Sequence, residues 1–559
     1  MIIDHALQER IEALMRDFVR IYTPTGTSGE RDAERFYLDL FASMNYFSKR
    51  SELAGLYEIP GDCLNRSIPW CLVKGSGGDT VVLLHHYDVV DTDDYRNLRD
   101  LATEPDALAS AFREERISVD DETARDLESG EWIFGRGTAD MKGGAAIQAA
   151  LLERYAEAAD AGKLQGNLLL IGVPDEENIS AGGRAAPALL KKLKDEHALR
   201  YVLAMNAEPN ERVGASGGLG LFIGSIGKIM PLIYVRGKLS HAGMVYDGLN
   251  PIKVLSKIVD KLDIVPELID GTDGIISPAP TFLYMKDTKN IYDVSLPGAA
   301  SGYMNVMFLR KSVGEIMELV RERCTAAFGE AIADVQQSFD AYSAACGNAS
   351  RELPWKANVK LYSQLRDEAV RDSGDEFERS FAELIGDIKG RVAAGEMTLV
   401  EASHAIIEHT LLYVRDVSPT VVIALTPPYY PVVSNAMLGE TAQAVDGLCD
   451  EIIARAKSEF GAEYIRYHII GMSDLSYFMQ NPSSSDNAYI SDNMLLWKDI
   501  YNIPFDALDD ISMPVLNIGP LGKDIHEYTE RVLKEDLLRR SPDLMAFAIE
   551  RILNIAKEV

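Results

Sequence analysis

The chain of 559 residues is poor in cysteine, with five in all, and no two of them stand at zinc-ribbon or redox-motif spacing. Cys63, Cys71, Cys324, Cys346 and Cys449 are scattered, which argues against a disulfide framework and for a reducing compartment. Basic residues are also in deficit: 56 Lys and Arg stand against 86 Asp and Glu, a formal net charge of -30. Nucleic acid and anionic membranes repel such a chain, so neither is expected as a partner. Long apolar runs are missing too. None approaches the ~20 residues of a membrane helix, and the amphipathic start MIIDHALQERIEALMRDFVR lacks the uninterrupted apolar core of a signal peptide. The expectation is a soluble cytoplasmic protein. Internal repeats and low-complexity tracts are absent as well, so a repeat architecture is not expected.

What is present is a hydrophobic fraction of 47%, enough for sizeable cores, on a chain too long for one. Trp70–Val73, Thr80–Leu84 (TVVLL), Asn167–Val173 (NLLLIGV) and Tyr201–Ala207 are continuous apolar runs, of the kind buried on both faces of a sheet. Helical periodicity alternates with them over 4–22, 29–44, 143–161 and 182–194. That order predicts an α/β fold with a mostly parallel, helix-flanked sheet. Residues 91–131, acidic and irregular with helical pieces, read as a solvated surface insertion. The glycine-rich stretch 214–220 fits neither dinucleotide nor phosphate-loop spacing and marks a domain boundary. Beyond it, strands over 228–235, 281–285 and 303–309 alternate with helices over 250–262 and 313–328. This is an α+β layer with two helices on one face of a sheet. Residues 330–417 are mostly helical, with a strand around 359–365. Buried-strand character returns at 419–425, followed by a helix over 439–460, strands at 466–470 and 515–518, and a last helix over 542–556.

The polar signals sit just beyond the predicted strands, where sites collect in α/β sheets. His86 and Asp88 follow TVVLL, Glu176 and Glu177 follow NLLLIGV, Glu208 follows YVLAMNA, and His526 follows VLNI. Asp140 lies in the turn WIFGRGTADMKGG, immediately before a helix, and each oxygen of its carboxylate can hold a different cation. Unpaired buried charges cost several kcal/mol, so carboxylates grouped with imidazoles need cations between them. Mixed His and carboxylate ligation without thiolate suits Zn²⁺, with Co²⁺ or Mn²⁺ as alternatives.

Together HxD (His86, Asp88), GRGTADMKGG, PDEE, AEP and the late GPxxxxxH (Gly519, Pro520, His526) resemble one family of two-metal amidohydrolases. It includes aminoacylase, acetylornithine deacetylase, succinyl-diaminopimelate desuccinylase and carboxypeptidase G. Length, the PDEEN segment and the long middle region are most similar to its arginine-utilisation, RocB-like branch. The resemblance implies that His86 and Glu208 hold one metal, that Glu177 and His526 hold the other, and that Asp140 bridges them. Asp88 would hydrogen-bond His86 and fix its tautomer, and Glu176 would be the general base. The family interrupts its catalytic domain with a ferredoxin-like dimerisation or lid domain. Here that implies catalytic parts at 1–223 and 418–559, an inserted domain with an extra helical region at 224–417, and a homodimer joined through the insertion.

The segment GKLSHAG, Gly237 to Gly243, resembles that domain's histidine motif, so His241 would reach the partner subunit's site and bind the substrate carbonyl oxygen. Arg310, after MNVMFL, is the candidate for the substrate carboxylate. The chain departs from the family in its long insertion between Asp88 and Asp140 and its long middle region. It also lacks an evident asparagine near Asp293–Pro297. The function implied is cleavage of an amide bond in a small N-acyl amino acid or short peptide. A carboxypeptidase or dipeptidase of the same fold, and a metal-bound binding protein without turnover, are the alternatives; the intact Glu176 argues against the last. Among the other histidines, His85 is expected to pack beside the site, His468 in a core, and His5, His197, His404 and His409 at the solvent. Gly471-Met472-Ser473-Asp474 resembles a family loop beside the site.

Overall fold

Strand Ser76–His86 is buried at every residue from Thr80 to His86, and strand Gln165–Val173 at every residue after its first. Neither alternates, so both faces of their sheet are covered, as the apolar runs require. The computed structural model describes residues 3–554 apart from 215, 273, 274, 290, 470, 472 and 480–483. It divides into two units. The larger comprises Met1–Ser225, Pro431–Asn481 and Ile503–Val559; the smaller comprises Ile226–Tyr430 and Pro482–Asn502.

The larger unit is built on a ten-stranded sheet. At its centre Gln165–Val173, Ser76–His86, Arg200–Asn206 and Val515–Asn517 run parallel in that spatial order. The strands at both margins are antiparallel to their neighbours, except Tyr464–Ile469, which runs parallel to Gly218–Ser225. Register decides what happens next. His86 lies opposite Val173, Leu84 opposite Asn206, and Asn206 opposite Asn517. Four carboxyl ends are therefore level, and the loops leaving them start from one edge of the sheet. Helices Lys142–Asp160 and Ala181–His197 pack on these strands.

Helix Lys142–Asp160 approaches the sheet closely because its first turn carries glycine. A Cβ on Gly144 would stand 2.1 Å from the carbonyl oxygen of Ala207. This contact seats the helix that follows Asp140 against the strand end that precedes Glu208.

Residues 91–131 differ from the sequence expectation. Helical pieces Asp93–Leu101, Pro105–Arg113 and Asp121–Ser129 bury Tyr95, Leu98, Leu108, Phe112 and Leu127 against Phe134. The insertion thus has a core of its own, assembled from apolar residues too widely spaced for one helical stripe. It also braces a later part of the chain: Trp132–Phe134 pairs with Arg531–Leu533, and the Tyr528 hydroxyl donates to the Ser118 carbonyl at 2.8 Å.

The smaller unit has a six-stranded sheet in the order Thr281–Asp287, Ala299–Phe308, Pro231–Arg236, Thr420–Leu425 and Val359–Leu361, with Gly227–Ile229 also paired to Ala299–Phe308. Thr420–Leu425, expected from the sequence to open the second catalytic part, pairs antiparallel with Pro231–Arg236 and belongs here. Its apolar run suits any doubly covered strand, so sequence alone did not assign its sheet. Helices Pro251–Leu262 and Val313–Ala345 pack on this sheet. The second of them runs well past the expected end at 328. Helices Tyr362–Ala393, broken at Gly374, and Leu399–Leu412 supply Leu365, Ile385, Ile388, Ile406 and Ile407 to a core shared with Leu232, Tyr234 and Val422. The extra helical region therefore covers sheet residues that two helices alone would leave open. No helix among the described residues is long and apolar enough to cross a membrane.

The close approach of Gly144 yields a stability prediction. Gly144→Ala forces backbone apart at the sheet edge and should cost about 1–3 kcal/mol, read as a lower urea midpoint at unchanged m-value. An unaltered midpoint would contradict the packing described.

Candidate metal centre

Asp140 stands between two imidazoles. Its Oδ1 lies 3.0 Å from His86 Nε2 and its Oδ2 lies 3.2 Å from His526 Nε2. Each imidazole has a second carboxylate. Glu208 Oε2 is 3.8 Å from His86 Nε2, and Glu177 Oε1 is 2.9 Å from His526 Nε2. Donor atoms of His86, Asp140 and Glu177 all fall within 4.8 Å of one another. The five residues come from four strand ends and one helix-preceding turn, and they form two donor sets that share one carboxylate.

Each side chain is held from behind. His86 Nδ1 lies 3.0 Å from the Asp88 carbonyl, which can only accept, so that nitrogen carries the proton and Nε2 is turned to Asp140. Asp88 thus serves His86 mainly through its backbone; its carboxylate is farther, at 3.6 Å. Those oxygens are committed elsewhere, accepting from the backbone N–H of Glu176 and of Glu177 at 3.1 Å each. Asp175 holds the same turn with a left-handed φ of 70°, its carboxylate bound by buried Arg66 at 2.6 Å. At the other strand end, Gly519 lets the chain pass Glu208, since a Cβ there would stand 1.9 Å from the Glu208 carbonyl oxygen. His526 also takes a left-handed φ, 68°, a conformation that costs energy unless neighbours enforce it.

The electrostatics follow from this crowding. Burial opposes charge on His86, but Glu208, Asp140 and Asp88 outweigh it and hold the imidazole charged. Hydrogen bonds to Asp140 and Glu177 raise His526 to about 10. Asp140, though buried, is held below the usual carboxylate range by His526 and His86. Burial and the nearby Asp140 charge push Glu177 up to about 7, with His526 opposing. Glu176 is different. Burial and the Glu208 charge push it well upward, and its carboxyl makes no hydrogen bond or ion pair among the described residues. It stands at the centre without being used by it.

The other sequence candidates lie elsewhere. His241 belongs to the smaller unit, where it is exposed and its Nδ1 accepts from the Gly243 N–H at 3.1 Å. Arg310 is exposed in the same unit, its backbone N–H donated to Asp270. His85 is no ligand: it is buried between the Tyr37 hydroxyl at 2.6 Å and Gln148 Oε1 at 2.8 Å. Gln148 spends its amide N–H on the Leu84 and Met205 carbonyls, which leaves its oxygen to accept from His85. Burial lowers His85 to about 4. His404 meets the Ser301 hydroxyl at 3.0 Å rather than open solvent. Of the loop Gly471–Asp474, Met472 lies outside the described residues; Asp474 is buried and accepts from the Ser180 hydroxyl.

Sequence reasoning missed three residues. Glu530 is fully buried and accepts through Oε1 from the backbone N–H groups of Ala139 and Asp140, each at 3.1 Å. Arg136 pairs with its other oxygen at 2.8 Å. Lys142 is buried and donates to the Ile21 carbonyl at 2.5 Å; burial lowers it to about 7. Arg136 and Lys142 stood in the glycine-rich turn, where a charged residue in a buried stretch was the signal. Glu530 had none beyond its place four residues after His526.

Comparison with known proteins identifies the relatives of this chain. The profile of peptidase family M20/M25/M40 matches residues 83–501. YqjN of Bacillus subtilis, an uncharacterised protein, is 31% identical over 98% of this chain and 97% of its own. RocB of the same organism is 27% identical over 94% of this chain and 92% of its own. A tripeptidase of Staphylococcus aureus shares the fold, with a TM-score of 0.52, 12% identity, and 98% and 99% of the two chains covered.

The protonation states give a prediction. His526, raised to about 10, carries a proton at neutral pH in chelator-treated protein, and Glu208, Asp140 and Asp88 likewise favour the charged form of His86, so a cation held by these imidazoles would displace their protons. Loading a divalent ion near pH 7.5 should release about two protons per chain, and apparent affinity should rise with pH over this range. Calorimetry in buffers of different ionisation enthalpy measures the release; identical heats in every buffer would rule it out.

Proposed function

The chain belongs to peptidase family M20/M25/M40, a family of amide- and peptide-bond hydrolases, and from that premise we propose that it cleaves the amide bond of a small N-acyl amino acid or short peptide. The observation that carries the proposal is the division of Asp140, one oxygen toward each imidazole, with a buried and unengaged Glu176 beside them. The donor set fits two divalent ions, His86 with Glu208 at one and His526 with Glu177 at the other, Asp140 serving both. Imidazole and carboxylate without thiolate favour Zn²⁺, with Co²⁺ and Mn²⁺ as competitors. Such ions, when bound, would polarise the scissile carbonyl and ease deprotonation of the attacking water.

The protein's own groups do the rest. Glu176 is the proton acceptor: its raised affinity for a proton suits it to take one from water and deliver it to the leaving amine. Asp88 fixes the Glu176–Glu177 turn and presents His86 Nε2 toward Asp140. Arg310 is proposed for the substrate carboxylate. A homodimer is supported by strand Thr281–Asp287, which lies at the end of its sheet with Leu283 55% and Met285 45% exposed. His241 is proposed to donate to the carbonyl oxygen in the partner's site. The resemblance to the arginine-utilisation branch supports amino-acid utilisation as the setting, and five free cysteines support a cytoplasmic one.

A panel of N-acyl amino acids and dipeptides, assayed with Zn²⁺, Co²⁺ and Mn²⁺, tests the function; the wild type should turn over at least one class. Glu176→Gln should lower kcat by a hundredfold or more at near-normal metal content, whereas Glu177→Gln should lower metal content. The opposite pattern would exchange base and ligand. For His241, Glu176→Ala and His241→Ala chains are mixed under conditions shown to exchange subunits. Mixed dimers then hold one site with both residues intact, and about a quarter of wild-type sites should return. Proven exchange without activity would confine His241 to its own chain or remove it from catalysis.

A further inference from the structure

Asp88 and Glu530 do the same physical work at different places in the centre. Each is fully buried, and each gives its carboxylate to two consecutive backbone N–H groups of a segment that delivers a metal-directed carboxylate. For Asp88 these are the amides of Glu176 and Glu177; for Glu530 they are the amides of Ala139 and Asp140. A carboxylate that holds two successive amides fixes the peptide plane between them, and so the direction in which the next side chain leaves.

Glu530 is tied to more than one loop. Its Oε2 meets Arg136 Nη1 at 2.8 Å. Arg136 Nη2 lies 3.2 Å from the His526 carbonyl and 3.2 Å from Asp94 Oδ1, and the guanidinium carbon sits 5.3 Å from the Tyr95 ring centroid. One buried ion pair therefore fixes the backbone of Asp140 and supports the left-handed backbone of His526. His86 has separate support: it ends a central strand, and its ring is held by the Asp88 carbonyl. Glu208 likewise follows a central strand.

We propose that Glu530, acting with Arg136, is a positioning residue for the His526–Glu177 cation position: it aims Asp140 Oδ2 and His526 Nε2 at one ion, and without it this position weakens before the His86–Glu208 position does. The inference rests on the two-metal hydrolase reading above. Its physical basis is preorganisation. Partners behind metal ligands typically contribute a factor of roughly 10–100 in affinity, and here that contribution falls on one of two donor sets.

The test titrates chelator-treated protein with Co²⁺, following heat and visible absorption. Wild type should take up two ions. Glu530→Gln keeps the side-chain size and an acceptor oxygen but removes the charge opposite Arg136. It should weaken the second ion roughly 10–100-fold and the first, whose His86 and Glu208 have their own support, by clearly less, and its lost activity should return as Co²⁺ is raised, because Glu176 is untouched. A merely structural role would weaken both ions together and leave activity unrecovered at high Co²⁺; that result overturns the proposal, as does wild-type affinity for both ions. If Glu530→Gln does not fold by circular dichroism, Arg136→Lys takes its place. It keeps a positive charge toward Glu530 and removes the planar fork that reaches the His526 carbonyl. A smaller but equally selective weakening is expected, and unchanged second-ion affinity overturns the proposal. Wild type that binds no ion overturns the hydrolase reading and this inference with it.

Discussion

One carboxylate has to answer two imidazoles. Asp140 does so by pointing one oxygen each way, and most of what surrounds the centre exists to keep it in that attitude. The requirement reaches far along the chain. Gly144 lets the following helix sit on the end of strand Arg200–Asn206, Glu530 grips the amides on either side of Ala139, and strand Arg531–Leu533 pairs with the strand before the turn. A side chain on a free loop would lose this aim to rotamer and backbone entropy. Here the turn is bound by groups that themselves have no freedom left.

The second constraint is charge. Asp88, Asp140, Glu176, Glu177, Glu208 and Glu530 lie close together with Arg136 and two imidazoles to balance them. Not all these groups are equivalent. Asp88 is stabilised by two amides and His86, and it stays ionised despite complete burial. Glu176 has no such donors, and burial drives its proton affinity up. Glu176 and Glu177, neighbours in sequence, thus differ in environment: Glu177 meets the His526 imidazole at 2.9 Å and Glu176 makes no such contact. Environment, rather than residue type, sets how tightly each carboxylate holds a proton.

The parts of this arrangement legible in the sequence were those that follow from period and position. Apolar runs too continuous to alternate marked the central strands, and the polar residues just past them marked the centre. The structure brings His86, Asp140, Glu177, Glu208 and His526 within reach of one another through the level register of four strand ends. What could not be read was pairing. Thr420–Leu425 looks like any buried strand, and only its partner shows that it belongs to the smaller unit. The acidic stretch 91–131 hides a core because Tyr95, Leu108, Phe112 and Leu127 are spread over three short helical pieces. Glu530 and Arg136 are separated by most of the chain, and an ion pair between distant residues leaves no periodic trace.

The larger unit draws its sheet from segments on both sides of the smaller one in sequence, and this sets an order of assembly. Strands Gln165–Val173, Ser76–His86 and Arg200–Asn206 leave a ribosome long before Val515–Asn517, their fourth parallel neighbour, and the whole of Ile226–Tyr430 is made in between. Until the last segment emerges, Arg200–Asn206 exposes an unpaired edge, and Asp140 lacks both His526 and the carboxylate that grips its turn. Closing that sheet is a contact of very long sequence separation, the kind that slows folding and leaves nascent edges open to wrong partners. Catalytic competence therefore waits on Val515–Asn517 and His526: an amide-bond hydrolase built this way stays idle through all the synthesis that separates its third central strand from its fourth.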